Sequence, residues 1–290
     1  MLHSMIIVRL SGGLGNQIFQ YAAGRVLALR RNTDLALDLR FFQRDRLRNY
    51  ALAPFSLKTA SLDQVSLPPS RRNPLAFALW RMTKGRRFTY CRERSFSFDP
   101  AVLKLGPDTY LHGYWQSENY FQDAATVIRA DVVVRTPPSE VNAVRLRAIA
   151  NSPSVSVHVR RGDYVSNSKT SRIYGACPVE YYQAAAQLLA KQAGMPLRFW
   201  VFSDDPEWAA ANIGFPFDTR YVTHRAEDHP AEDLRMMSAC RDHIIANSTF
   251  SWWGAWLNPS PDKIVVAPKR WFNDPGKNDQ DLVPADWIRI

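Results

Sequence analysis

Over residues 154–160 apolar Val155, Val157 and Val159 alternate with Ser156, His158 and Arg160, a period of two that predicts a strand with one polar face. The strand ends at Arg161-Gly162-Asp163. Pro178 then opens a helical stretch, VEYYQAAAQLLAKQAG, which closes at Gly194, the proline-first and glycine-last order that helices favour. Leu197 to Phe202 predicts a buried strand, and Ser203-Asp204-Asp205-Pro206 a turn and cap into a short helix. A short strand at Tyr221-Val222, a helix from Ala231 to Cys240 and a strand over His243-Ile244-Ile245-Ala246 follow. Next comes a helix carrying Trp252, Trp253 and Trp256, stopped by Asn258-Pro259, and a strand from Lys263 to Ala267. Strands alternating with helices in this way predict right-handed βαβ units and an open parallel sheet.

The start of the chain opens a second such unit, with a strand from Met5 to Leu10, a loop over Ser11-Gly12-Gly13-Leu14-Gly15-Asn16 and a helix from Gln17 to Arg31. Residues 40–134 are irregular, broken by Pro68-Pro69, Pro74 and Lys84-Gly85-Arg86-Arg87, and give no strand order. Thr136-Pro137-Pro138 is the linker candidate. The pattern therefore predicts an α/β protein of two lobes, residues 1–145 and 153–270, with residues 271–290 as a C-terminal segment packing back on the first lobe.

Composition narrows the function. With 46% hydrophobic and 22% charged residues, the 290-residue chain can build full cores, which excludes global disorder. Lys and Arg number 37 against 27 Asp and Glu, a formal charge of +10 that favours anionic partners: nucleic acid, nucleotide, phosphosugar or an acidic membrane face. Cys91, Cys177 and Cys240 are too few and too scattered for a disulfide framework or a metal site. No apolar run reaches the roughly 20 residues that span a bilayer, and a cytoplasmic chain is expected.

Three constellations carry candidate chemistry. Gly12-Gly13-Leu14-Gly15-Asn16 sits at a strand-to-helix turn, where backbone N–H groups can hold an anion; Ile18 and the missing Lys-Ser pair break the dinucleotide and Walker patterns, and a plain tight turn explains the glycines as well. His158-Val159-Arg160-Arg161-Gly162-Asp163-Tyr164 puts His158 and Arg160 on one strand face at the carboxyl end of a sheet, where Arg160 can take a phosphate, while an Arg161–Asp163 ion pair would lock the turn. Asn247-Ser248-Thr249-Phe250-Ser251 offers hydroxyls and amides to a diphosphate, or simple capping; its glycosylation sequon is read as unused. The tryptophans are read as core. No metal is expected: the histidines are scattered, Asp279-Gln280-Asp281 reads as loop, and Asp204-Asp205 as a cap. The basic run Arg71, Arg72, Arg81, Lys84, Arg86, Arg87, Arg92 and Arg94, interleaved with Trp80, Phe88 and Tyr90, is by default a solvated face, next a patch for anionic lipid or a lipid-diphosphate acceptor, with a nucleic-acid surface as a further reading.

The strings SGGLGNQIFQYAAGR, HVRRGDY, FSDD, EDLRMMSACRDHIIANSTFSWWGAWLN and VVAPKRWF, in that order from Met5 almost to the C-terminus, resemble the bacterial α-1,2-fucosyltransferases of glycosyltransferase family 11. Residues 40–110 carry little of the likeness. The resemblance implies a GT-B-like fold of two Rossmann-like lobes whose parallel sheets face a cleft, an acceptor-side first lobe and a GDP-fucose-binding second. It implies transfer of L-fucose from GDP-β-L-fucose, with inversion and without metal or cofactor, to the 2-OH of a terminal β-galactoside, free or lipid-linked. On the same likeness Arg160 contacts the β-phosphate, His158 lies by the guanosine, Asp233 accepts from guanine, and Asn247, Ser248, Thr249 and Phe250 hold the diphosphate. Gly13, Gly15, Asn16 and Gln17 face the fucose or acceptor, and Asp163 is the nearest carboxylate for a general base. A peripheral membrane contact through residues 71–94 is a further expectation. A fucosyltransferase of α-1,6 regiochemistry and a basic nucleic-acid-binding protein remain the alternatives.

Overall fold

A computed structural model describes residues 4–290 except 46, 63–64, 70–72 and 224–228, so Arg71 and Arg72 of the basic run lie outside the described residues. The chain divides into two compact units, Met1–Val132 and Val133–Ile290.

The first unit runs β1 (Met5–Arg9), α1 (Leu14–Arg31), β2 (Asp34–Asp38), α2 (Pro74–Met82), β3 (Thr89–Arg92), β4 (Thr109–His112) and α3 (Ala125–Asp131). Its four strands pair in parallel in the order β2-β1-β4-β3. Helix α1 starts at Leu14, three residues before the sequence pattern suggests, because Gly13 already accepts the Gln17 N–H at 3.0 Å. Within the stretch that gave no strand order, β3 and β4 are only four residues long, and β2, just before it, is a five-residue strand bounded by aspartates. Their assignment comes from pairing with β1 and with one another rather than from local pattern.

The second unit runs α4 (Glu140–Ala150), β5 (Ser154–Val159), α5 (Gly162–Ser166), α6 (Ser168–Ile173), α7 (Val179–Ala193), β6 (Arg198–Ser203), α8 (Pro206–Asn212), β7 (Asp218–Tyr221), α9 (Ala231–Ala239), β8 (Asp242–Ile244), α10 (Thr249–Trp256), β9 (Val265–Ala267) and β10 (Ile288–Arg289). All pairs are parallel, in the order β10-β9-β8-β5-β6-β7. Strand β7 begins three residues earlier than the apolar pattern indicates. It is the sheet edge, where half-exposed Asp218, Thr219 and Arg220 are tolerated.

The polar face of β5 is enclosed, all six of the strand's residues being buried. Val155, Val157 and Val159 pack on Tyr182, Ala185, Ala186 and Leu189 of α7. On the other face, register sets Ser156 beside His243, whose Nδ1 lies 2.8 Å from Ser156 Oγ while Asn258 Nδ2 donates to Nε2 at 3.0 Å. A parallel sheet covered on both faces buries polar residues only when they pair in this way. Two expectations are corrected. The boundary between units falls at Val132 and Val133 rather than after the proline pair. Arg235 of α9 holds the carbonyls of Val134 and Thr136, and Arg145 of α4 that of Thr223, which binds this stretch to the second unit. Residues 271–290 belong to the second unit too: β10 extends its sheet, and Trp252 Nε1 donates to Leu282 O at 2.9 Å with its ring 5.4 Å from Trp287.

Trp252, Trp253 and Trp256 are core, as the sequence suggests. Among the described residues no helix is long and apolar enough to cross a membrane. Burial pushes the His243 imidazole down to about 3 from an ordinary 6.5, with Lys263 adding to the shift. The unfolded chain takes up a proton near pH 6.5 that the folded chain refuses until about pH 3, so stability is held above pH 6.5 and lost as pH falls. The expected slope is roughly 1.4 kcal/mol per pH unit over that window. An NMR titration should find the His243 ring neutral at pH 5; protonation near pH 6 would refute the buried Ser156–His243–Asn258 arrangement.

Candidate active site

In the second sheet the chain moves outward from β5 to β6 and β7, then returns to the other side of β5 for β8, β9 and β10. Strand order therefore reverses between β5 and β8, and open α/β sheets bind ligands outside the carboxyl ends of their strands at such a point. The segments that follow β5, β6 and β8 are the HVRRGDY, FSDD and NSTFS strings.

Arg160 leaves the end of β5 between two carboxylates. Its Nη1 is 2.8 Å from Asp204 Oδ2, and its Nη2 donates to Asp163 Oδ1. The register explains the first contact: Val159 pairs with Ser203, which sets residue 204 beside residue 160. Asp163 comes from the first turn of α5, three residues on. Gly162 makes room for Asp204, since a Cβ there would lie 2.3 Å from Asp204 Oδ2. Burial by itself would pull the Arg160 pKa down; Asp204 and Asp163 outweigh it and hold the guanidinium above its ordinary value. The turn-locking pair expected between Arg161 and Asp163 does not form. Asp163 is taken by Arg160, and Arg161 turns to Asp205 at 3.2 Å and lies 3.6 Å over the Trp208 ring. Asp205 also caps α8 by accepting from Trp208 N, as the sequence predicts.

Across the switch point, Ser248 caps α10 through its Oγ and the Phe250 N–H, and Thr249 and Phe250 are half-buried at the helix start. The Phe250 ring is 5.3 Å from that of His158, which is 4% exposed, so the ends of β5 and β8 are joined by a packed ring pair. Asn247 is enclosed: its Nδ2 donates to the carbonyls of Tyr174, Gly175 and Trp271, and its Oδ1 faces Cys177 Sγ. It shapes the loop, and its sequon is no surface acceptor. Tyr164 Oη donates to Asn247 O at 3.0 Å, tying α5 to the same loop. Asp233 lies in the first turn of α9, the helix that leads into β8. The edge thus combines a fixed cation with the positive amino end of an eight-residue helix, an arrangement suited to an anion.

The first unit repeats the plan, its strand order reversing between β1 and β4. Gly12, at φ 78°, makes the left-handed turn after β1, Gly13 precedes α1, and Gly15 is buried in its first turn. Asn16 accepts from Gln116 Nε2 at 2.8 Å. Gln17, expected to face a sugar, is fully buried and bonds backbone at Gly12, Asn49 and Ala51, so it positions the loop. Gln20 does the same between Ser11 and Gly113. Trp115 is core at 1% exposure, its left-handed backbone at φ 58° held by Glu93, which accepts from the N–H groups of Tyr114 and Trp115.

At the carboxyl edge of this sheet lies a cavity of about 380 Å³ lined by Arg9, Asp38, Arg40, Tyr90, Tyr110 and His112, among others. Arg9 Nη1 donates to His112 Nε2 at 3.0 Å, across the reversal point. Asp38 is occupied by both nitrogens of the Arg40 fork, at 2.9 and 2.7 Å, and by Tyr110 Oη at 2.7 Å. The sequence reading missed this cavity because β2, β3 and β4 were not visible in it. It also missed the Asp204 contact to Arg160, which needs the β5–β6 register. Among the described residues no three His, Cys, Asp or Glu side chains gather as a metal site would require.

Residues 2–290 match the family model of glycosyl transferase family 11. The chain is 34% identical to an alpha-1,2-colitosyltransferase of Escherichia coli over 99% of both chains. It is equally identical to the O-antigen biosynthesis glycosyltransferase WbnK of Escherichia coli, over 97% of this chain and 99% of that one. Among solved structures it resembles the NodZ alpha-1,6-fucosyltransferase soaked with GDP-fucose, with a TM-score of 0.50 at 16% identity, covering 89% of this chain and 94% of that one. A mutant of Arabidopsis thaliana FUT1 in complex with GDP gives a TM-score of 0.54 at 10% identity, covering 92% of this chain and 70% of that one. These likenesses fix the fold as GT-B.

Burial would raise the Asp38 pKa, but Arg40 and Tyr110 outweigh it and hold it below 3.8. Its contribution is therefore complete above about pH 4 and lost as pH falls through the folded value. Asp38→Asn should cost roughly 2 kcal/mol at neutral pH and flatten the acid limb of stability, measured by urea unfolding between pH 6 and pH 3. An unchanged acid limb would contradict the assignment.

Proposed function

Because the chain belongs to glycosyl transferase family 11 and is a glycosyltransferase, we propose that it moves L-fucose from GDP-β-L-fucose to the 2-OH of a terminal β-galactoside, with inversion and without a metal. The observation that carries this reading is that the Arg160 guanidinium follows β5 and the amino end of α10 follows β8, the two strands between which the order of the second sheet reverses. In the proposed reaction the galactose O2 attacks the anomeric carbon from the face opposite the nucleotide. The C–O bond to GDP breaks, its electron pair stays on the β-phosphate oxygen, and the hydroxyl proton passes to a base. Charge grows on that oxygen in the transition state, so a cation fixed beside it accelerates the chemical step rather than ground-state binding.

Asp163 is assigned as the base. It is held beside the Arg160 guanidinium, and a dissociative path asks little of a base. His158 and Asp233 are assigned to the guanosine, and Thr249 and Phe250 with the cap residue Ser248 to the diphosphate. The acceptor is assigned to the first unit, at the Gly13–Asn16 turn and the Arg9–His112 cavity. A nucleotide-sugar donor and three free thiols fit a cytoplasmic enzyme. Colitose is the second reading for the transferred sugar, favoured by the 34% identity to an alpha-1,2-colitosyltransferase.

The test is transfer from GDP-fucose to lactose with EDTA present, the linkage read by NMR. A Fucα1-2Gal product is expected; an α-1,6 product, or transfer restored only by a divalent cation, would refute the reading. Transfer from GDP-colitose but not GDP-fucose would select the second sugar. Arg160→Ala should lower kcat by about 10²–10³-fold, and a normal kcat would remove Arg160 from the transition state.

A further inference from the structure

Helix α2 shows two unlike faces. Inward, Trp80 is 6% exposed, packs with Ile7, Phe88 and Tyr110, and donates Nε1 to Ser66 O at 2.9 Å. Phe77 adds to that anchor, its ring 5.8 Å from Trp80 and 5.1 Å from Tyr90. Outward, Leu75, Leu79 and Met82 fall at i, i+4 and i+7 and form one stripe, exposed by 83, 64 and 76%. Three large apolar side chains so aligned on a helix fixed by its opposite face form a patch, unlike singly scattered surface residues.

Its surroundings are basic. From Val65 to Arg92 the sequence holds seven Lys or Arg residues and no Asp or Glu. Arg87 is engaged by Asp108, while Arg81, Lys84, Arg86 and Arg92 are exposed. We propose that α2 and the basic turn after it dock on an anionic lipid bilayer, the Leu75–Leu79–Met82 stripe entering the headgroup and acyl boundary and the cations meeting lipid phosphates. Charge decides between occupants. A second copy would bring the same cations against this face and be repelled, and a nucleic acid would leave the apolar stripe in water. A bilayer rich in acidic headgroups complements both features, with the long basic side chains lying along the interface.

The full chain sedimented with vesicles should bind phosphatidylcholine containing phosphatidylglycerol and bind pure phosphatidylcholine far more weakly, with binding falling as salt rises. L75Q/L79Q/M82Q, all at exposed positions, should lower partitioning by roughly tenfold or more, and K84Q/R86Q by about fivefold per charge. Transfer to a soluble disaccharide should be unchanged in both variants, which separates failure of this proposal from failure of the fucosyltransferase reading. Equal binding to neutral vesicles, or unchanged binding of the apolar variant, would overturn the proposal. So would a concentration-dependent dimer in sedimentation velocity that the apolar variant abolishes, since the occupant would then be a second copy.

Discussion

One guanidinium organises the second unit. A positive charge withdrawn from water is costly unless partnered, and Arg160 is partnered by two carboxylates supplied by different elements. Each partner depends on a separate feature of the fold: Asp204 on the pairing of β5 with β6 and on the missing Cβ of Gly162, Asp163 on the turn into α5. The two carboxylates hold the guanidinium in place at the end of β5.

The two units solve one geometric problem with different chemistry. Each reverses its strand order beside its first strand and places an arginine at the carboxyl end of that strand, Arg160 just after β5 and Arg9 as the last residue of β1. Around Arg9 the partner is the His112 imidazole, and the neighbouring carboxylate of Asp38 is consumed by Arg40 and Tyr110. The second unit thus sets its arginine between carboxylates, whereas the first sets its arginine in a cavity lined by hydrogen-bonding and aromatic groups.

Much of the second unit could be read from the chain because its elements carry local signals. Pro178 and Gly194 bound α7, Asp205-Pro206 caps α8, and the valines of β5 alternate cleanly. The first unit resisted because β2, β3 and β4 have four or five residues each and are defined by partners distant in sequence. The same non-locality hid the site details. That Arg160 rather than Arg161 takes Asp163, that Asp204 reaches Arg160, and that Asn247 and Gln17 turn inward to backbone are consequences of register and burial, to which periodicity is blind. Glutamine and asparagine beside a glycine turn look alike as ligand contacts and as loop staples; only the fate of their amides separates the two.

The most direct test of the account is a crystal structure of the chain with GDP. The diphosphate should lie outside the carboxyl ends of β5 and β8, its oxygens within hydrogen-bonding distance of the Arg160 guanidinium and the start of α10, with Asp163 or Asp204 released from the arginine. A diphosphate bound elsewhere, with Arg160 still held by both carboxylates, would contradict it.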